Sequence, residues 1–103
     1  MGQHRAYLFG CRINGTTDFT YGQGAAVFEQ CVIVGERAGK FYNGQSFLTA
    51  TTGNVSSSVP DNPAARSAFL VHNSKLPASP NIGKTFLGRP WGDGATVIYD
   101  NVW

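Results

Sequence analysis

The chain has 103 residues, 42% of them apolar and only 14% charged, with thirteen glycines. That balance excludes a disordered, charge-rich chain and fits one small ordered domain. The net charge is +2, and the eight Lys and Arg residues are scattered rather than gathered into a nucleic-acid footprint.

The start, MGQHRAYLFG, has no signal-peptide apolar core, and no apolar run reaches the ~18 residues of a membrane helix. The first strand-like stretch is AYLFGCRING at 6–15. GTTDFTYG follows at 15–22, where Asp18 is the single acid among small and aromatic residues. By itself Asp18 suits a turn or cap better than it suits chemistry. Gly22-Gln23-Gly24 reads as a turn, without the strand–helix setting of a nucleotide loop.

AAVFEQCVIVG at 25–35 then repeats the first stretch. Placing Cys31 on Cys11 also places Phe28 on Leu8, Ile33 on Ile13 and Gly35 on Gly15. AFLVHNSKL (68–76) is a looser copy with Ser74 at the cysteine place, and ATVIYDNVW (95–103) is a fourth with its register open by one residue. Each copy is read as one strand. Between the copies lie three further strand-like runs, DFTY (18–21), SFLTA (46–50) and TFLGR (85–89), with Thr49 and Ala50 as candidates for a cleft floor. TGNVSSSVPDNP (52–63) is a polar loop, and the two prolines of PASPNIGK (77–84) oppose a helix.

Repeated strands without crossover helices stack as a solenoid or pair as a meander. A repeat of ~20 or more residues suits a parallel β-helix, in which each strand lies ~4.8 Å from its equivalent one coil on. The expected order is strand A, strand B, repeated, with the segments holding Asp18 and Arg89 on one face. Cys11 above Cys31 would form an inward stack, reduced in preference to a disulfide. With no CxxC pair and two isolated histidines, His4 and His72, a structural zinc site is not expected. Both histidines read as unremarkable surface residues.

Two stretches stand outside the repeat: Gly15-Thr16-Thr17-Asp18-Phe19-Thr20-Tyr21-Gly22 and Leu87-Gly88-Arg89-Pro90-Trp91. In that order they resemble the GTVDFIFG-type and LGRPW motifs of the pectin methylesterase (pectinesterase) family. AVFEQC (26–31), FLTA (47–50) and FLVHNSKL (69–76) resemble that family's intervening segments, so the likeness covers nearly the whole chain. Thr17 stands where the family motif has valine, Thr20 where it has an apolar residue, and Tyr21 where it has phenylalanine.

The resemblance implies an all-β, right-handed parallel β-helix of about four coils. It implies hydrolysis of methyl esters of pectin (methyl-esterified homogalacturonan) with release of methanol, and no cofactor or metal. Asp18 matches the nucleophile and Arg89 the arginine that orients it and keeps it ionised. Trp91, Phe19 and Tyr21 are the aromatics expected to meet substrate. A guanidinium suits that role because it favours an ionised carboxylate and grips it through two hydrogen bonds. Pro90 holds Arg89 extended, as a strand end presenting a side chain requires.

The resemblance also implies a general acid in a Gln-Asp-Thr-Leu-like motif and glutamines for the oxyanion. No Gln-Asp pair occurs in the 103 residues. Residues 1–103 therefore read as a partial pectinesterase-like β-helix domain, central to C-terminal in the family, with little activity alone. Such a piece would be association-prone where the complete protein would be a monomer. Secretion or a cell-wall location is implied by resemblance alone, and neither nucleic acid nor membrane is an expected partner. The alternatives are a non-catalytic β-solenoid that binds carbohydrate or serves structure, and another β-helical pectin-degrading enzyme. Against the last, Asp18, Asp61, Asp93 and Asp100 are too dispersed for a calcium-dependent lyase or a polygalacturonase.

Overall fold

In the computed structural model the described residues are 4–22, 24–36, 45–51, 67–79, 84–90 and 94–103. They form nine strands and no helix: β1 (His4–Phe9), β2 (Arg12–Gly15), β3 (Thr17–Gly22), β4 (Gly24–Glu29), β5 (Val32–Gly35), β6 (Ser46–Thr51), β7 (Ser67–Ser74), β8 (Thr85–Phe86) and β9 (Ala95–Val102). Every pairing is parallel. The strands make three sheets, β1-β4-β7-β9, β2-β5 and β3-β6-β8, each adding one strand per coil. This is a parallel β-helix.

The repeat found in the sequence is the register of the first two sheets. Leu8 pairs with Phe28, Ile13 with Ile33 and Gly15 with Gly35. Phe28 continues to Val71 and on to Tyr99, which also fixes the fourth copy. One expectation is corrected in part: the first two copies hold two strands each, β1 with β2 and β4 with β5, so those coils have three faces, while the third and fourth copies hold one strand each, β7 and β9. The chain bends between them because the corner residue takes a left-handed backbone. Gly10 (φ 65), Gln30 (φ 51), Asn73 (φ 49) and Asn101 (φ 52) occupy that place in successive coils. Gly and Asn enter this region at the lowest steric cost.

Alternate residues of the first sheet point inward, as the pleat requires. Ala6, Ala26, Phe69 and Val97 make one column, and Leu8, Phe28, Val71 and Tyr99 the next. The middle coils are the driest: Ala26, Phe28, Phe69 and Val71 are all buried. Phe28 and Phe69 meet edge to face, centroids 6.3 Å apart, an arrangement that favours the positive ring edge against a negative face. The two cysteines are free, with Cys31 buried and its thiol facing the Leu8 and Glu29 carbonyls. The 52–63 loop lies outside the described residues, as do residues 80–83 of the 77–84 segment.

Candidate active site

The third sheet carries the two non-repeated motifs. Its first strand, β3, is irregular. Thr17 pairs with Phe47 and Thr20 with Thr49, so Asp18 and Phe19 together face one residue of β6, Leu48. That is a β-bulge, which turns a side chain out of the ladder's alternation. Asp18 sits in it at φ 50. A non-glycine residue pays a steric cost there, and Asp is among those that tolerate it. Gly15 makes the bulge possible: a Cβ on it would fall 2.1 Å from the Phe19 ring. Phe19 thereby packs, partly buried, against the apolar interior.

Arg89 reaches the bulge from two coils away. Its Nε donates to Asp18 Oδ1 at 2.9 Å and Oδ2 at 3.1 Å, and its Nη2 donates to Oδ2 as well. The Asp18 side chain is only 12% exposed and that of Arg89 is 32% exposed, so the pair is partly shielded from water. Among the described residues Asp18 has no other polar partner, which leaves Arg89 to set its orientation. The guanidinium also lies over the Phe47 ring, 4.9 Å from its centroid. Phe47 in turn stacks on Phe86 at 4.9 Å and 12°. A cation over a ring face is attracted to its quadrupole, and the stack limits the arginine's rotamers.

The strand end that carries Arg89 is latched to β6. Thr49 donates its hydroxyl to the Leu87 carbonyl (2.9 Å), and the Tyr99 hydroxyl donates to the same oxygen. The Arg89 amide donates to the Thr49 carbonyl at 3.1 Å. Gly88 lies so close that a Cβ there would fall 2.3 Å from Thr49 Oγ1. Burial raises the Tyr99 phenol above its ordinary 10.0, so it donates as a neutral hydroxyl at physiological pH.

The expected site residues separate. Asp18 and Arg89 come together. Tyr21, 53% exposed on the same strand as Asp18, stands at the surface. Phe19 is turned toward the interior, and Trp91 lies outside the described residues, as does Asp93. Thr49 and Ala50 are buried at 2% and 0% exposure, which corrects their placing on a cleft floor. They lie beneath the site, and Thr49 is its latch. Phe47 and Phe86 were missed, although Phe heads both the FLTA and the FLGR runs.

His72 is also more than a surface residue. Its Nδ1 lies 2.6 Å from Glu29 and its Nε2 3.3 Å from Asp100. Glu29, His72 and Asp100 occupy one register column, just before the left-handed corner. The Asn73 amide, and then His72, hold the Glu29 carboxyl below its ordinary 4.5.

With the geometry in hand, comparison with known proteins is direct. The Pectinesterase family model matches residues 1–102. The chain belongs to the pectinesterase family. It is 34% identical over 101 residues, 92% of the chain, to probable pectinesterase/pectinesterase inhibitor 13 of Arabidopsis thaliana. It is 36% identical over 98 residues to probable pectinesterase/pectinesterase inhibitor 42, and 30% identical over 98 residues to putative pectinesterase 11, both of the same plant. These matches cover 90% and 95% of the chain. The chain spans 15%, 17% and 23% of the lengths of relatives 13, 42 and 11. No solved structure matches. Among the described residues, no helix is long and apolar enough to cross a membrane.

Proposed function

We propose that these residues form the nucleophile half of an esterase that removes methyl groups from pectin. The observation that carries this reading is Asp18, turned out of its ladder by a bulge and gripped by an arginine 71 positions away. Bulges and left-handed non-glycine residues recur at active sites because a folded frame must sustain their cost. Family membership supplies the reaction class.

In this reading an Asp18 carboxylate oxygen attacks the ester carbonyl carbon. The tetrahedral intermediate collapses with cleavage of the carbon–methoxy bond, and the leaving methoxide takes a proton from a general acid to become methanol. The resulting acyl-enzyme is an anhydride. Water attacks its galacturonyl carbonyl, gives its proton to the same group now acting as base, and releases Asp18 as carboxylate. Arg89 keeps one Asp18 oxygen aimed outward while binding the charge on the carboxylate. Tyr21, exposed on the strand of Asp18, and Trp91, two positions after Arg89 in sequence, are the aromatics this reading assigns to sugar rings. Phe19 acts from below, as packing for the bulge.

The 103 residues contain no Gln-Asp pair for the acid side. A general acid is worth ~10²–10⁴ in rate, and each oxyanion donor a further ~10²–10³. The chain by itself is therefore expected to release methanol at close to background. The decisive experiment supplies the acid side. Residues 1–102 replace the matching segment of a full-length Arabidopsis pectinesterase, and esterified pectin is turned over in hydroxylamine. Hydroxylamine attacking the Asp18 carbonyl of the anhydride, in competition with attack at the galacturonyl carbonyl, expels galacturonate and leaves part of Asp18 as its hydroxamate, which peptide mass analysis detects. Methanol release with Asp18 unmodified and another carboxylate trapped would overturn the assignment.

A further inference from the structure

A second polar, aromatic groove lies at the corner between the first and second sheets, whereas Asp18 and Arg89 belong to the third. It has a volume of about 460 Å³ and is lined by Gln30, Asn73, Asn101, Lys75 and Trp103, with Cys31 and Val32 beneath. Such a volume matches the lower range of small-ligand clefts. The corner repeat builds it. Gln30, Asn73 and Asn101 share the left-handed corner position, so their amides climb the solenoid one per coil, ~4.8 Å apart. Asn101 donates to the Asn73 oxygen, and Asn73 donates to Glu29, which aligns these amides as a column. The Gln30 side-chain amide has no hydrogen-bond partner among the described residues, and the residue is exposed.

Trp103 closes the groove. It is 62% exposed, although its backbone is pinned: its amide donates to the Ser74 carbonyl, and its carbonyl accepts from Leu76. The Lys75 ammonium lies 5.8 Å from the centroid of the Trp103 ring. Lys75 is exposed and pairs with no carboxylate among the described residues. An aromatic plane, a row of amides and one cation lining a single groove match one ligand chemistry. The plane takes the apolar face of a pyranose, the amides exchange hydrogen bonds with its hydroxyls, and the cation takes a carboxylate.

We propose that this corner groove binds an acidic oligosaccharide, at a site separate from the Asp18 bulge. The choice of galacturonate as the sugar acid rests on the pectin reading. Under that reading the groove prefers the de-esterified chain, because a methyl ester removes the charge that Lys75 would meet. It would hold a product stretch on one corner while the third sheet faces esterified units.

The test is a titration of the 103-residue chain with trigalacturonate, its trimethyl ester and maltotriose, followed by calorimetry in every variant and, where Trp103 is kept, by its indole N–H resonance. Trigalacturonate is expected to shift that resonance saturably, and both neutral probes to bind on the order of tenfold more weakly. Trp103→Ala and Lys75→Gln should each weaken trigalacturonate binding on the order of tenfold. Trp103→Tyr, which keeps an aromatic face, should retain it, which separates a lost platform from a lost fold. Asp18→Asn should leave it unchanged.

Three results would overturn the proposal. The first is binding left intact by Trp103→Ala or Lys75→Gln; if Asp18→Asn abolishes it, the sugar sits at the bulge and the esterase reading is spared. The second is maltotriose binding as tightly as the acid. The third is an indole shift that follows protein rather than sugar concentration, revealing a second copy on that corner. None of these depends on methanol release, so the two readings fail separately.

Discussion

The first and third sheets of this solenoid are built from the same element and differ in regularity. The first stacks four strands in unbroken register, with inward columns of Ala, Leu, Phe, Val and Tyr. The third breaks register at Asp18 and buries a hydroxyl, Thr17 Oγ1, without a partner among the described residues. The inward residues of the ladder add to stability by burial. The bulge is a place where stability is given up so that one carboxylate can leave the ladder and meet an arginine. Substitutions in the two sheets should therefore differ in sign as well as size.

The largest stability loss should come from the ladder. Phe69→Ala removes a ring that is 1% exposed and packed edge to face on Phe28. It should cost ~3–5 kcal/mol in chemical denaturation, enough to unfold a domain of marginal stability. A loss below ~1 kcal/mol would mean that the interior is not packed as described. Next is the latch under Arg89. Gly88→Ala drives a methyl into Thr49, and this overpacking should cost ~1–3 kcal/mol. Thr49→Ala in the same chain should return part of that loss by opening space. Strict additivity of the two changes would break the claim that they touch.

The bulge should give the opposite sign. Thr17→Val deletes the buried hydroxyl that has no partner and restores the residue of the family motif. It should stabilise the chain by ~1 kcal/mol, since an unsatisfied buried group costs about that much. A destabilised Thr17→Val variant would show that the hydroxyl is satisfied and that the bulge is not strained there.

The smallest effect is one of pH, at the edge of the ladder. Glu29 titrates lower in the folded chain than its ordinary 4.5, because Asn73 and His72 donate to its charged form. The unfolded chain then binds more protons than the folded one as pH falls below 4.5. The stability contributed by Glu29 is fully present above that value and is lost as pH drops through the lower folded value. Thermal midpoints of Glu29→Gln should fall less steeply than those of the parent over that acid window. Equal slopes would remove Glu29 from the account.

Repetition made the first sheet legible. Leu8 over Phe28 and Ile13 over Ile33 were readable because parallel stacking puts equivalent residues on the same face, and a shared face selects like side chains. The corner went unread for a physical reason. Gly10, Gln30, Asn73 and Asn101 look unrelated as letters, yet share one backbone conformation. Recognising that column would have shown two strands in each of the first two copies and, one place earlier, the Glu29–His72–Asp100 row. Asp18 and Arg89 were found through two motifs, because nothing local to Asp18 announces a partner 71 positions away. The bulge itself left no signal in DFTY, where alternation looks regular. Phe47 beneath the guanidinium could have been found only by placing FLTA over FLGR.

The central claim is that the bulge exists to present Asp18 as a nucleophile under the grip of Arg89. Methanol release from esterified pectin tests it most directly, in a full-length pectinesterase carrying residues 1–102, with Asp18→Asn and Arg89→Lys alone and together. Asp18→Asn should reduce turnover by about 10³-fold or more, and adding Arg89→Lys should lower it no further, because the two act as one unit. An Asp18→Asn enzyme that stays within about tenfold of its parent would contradict the account.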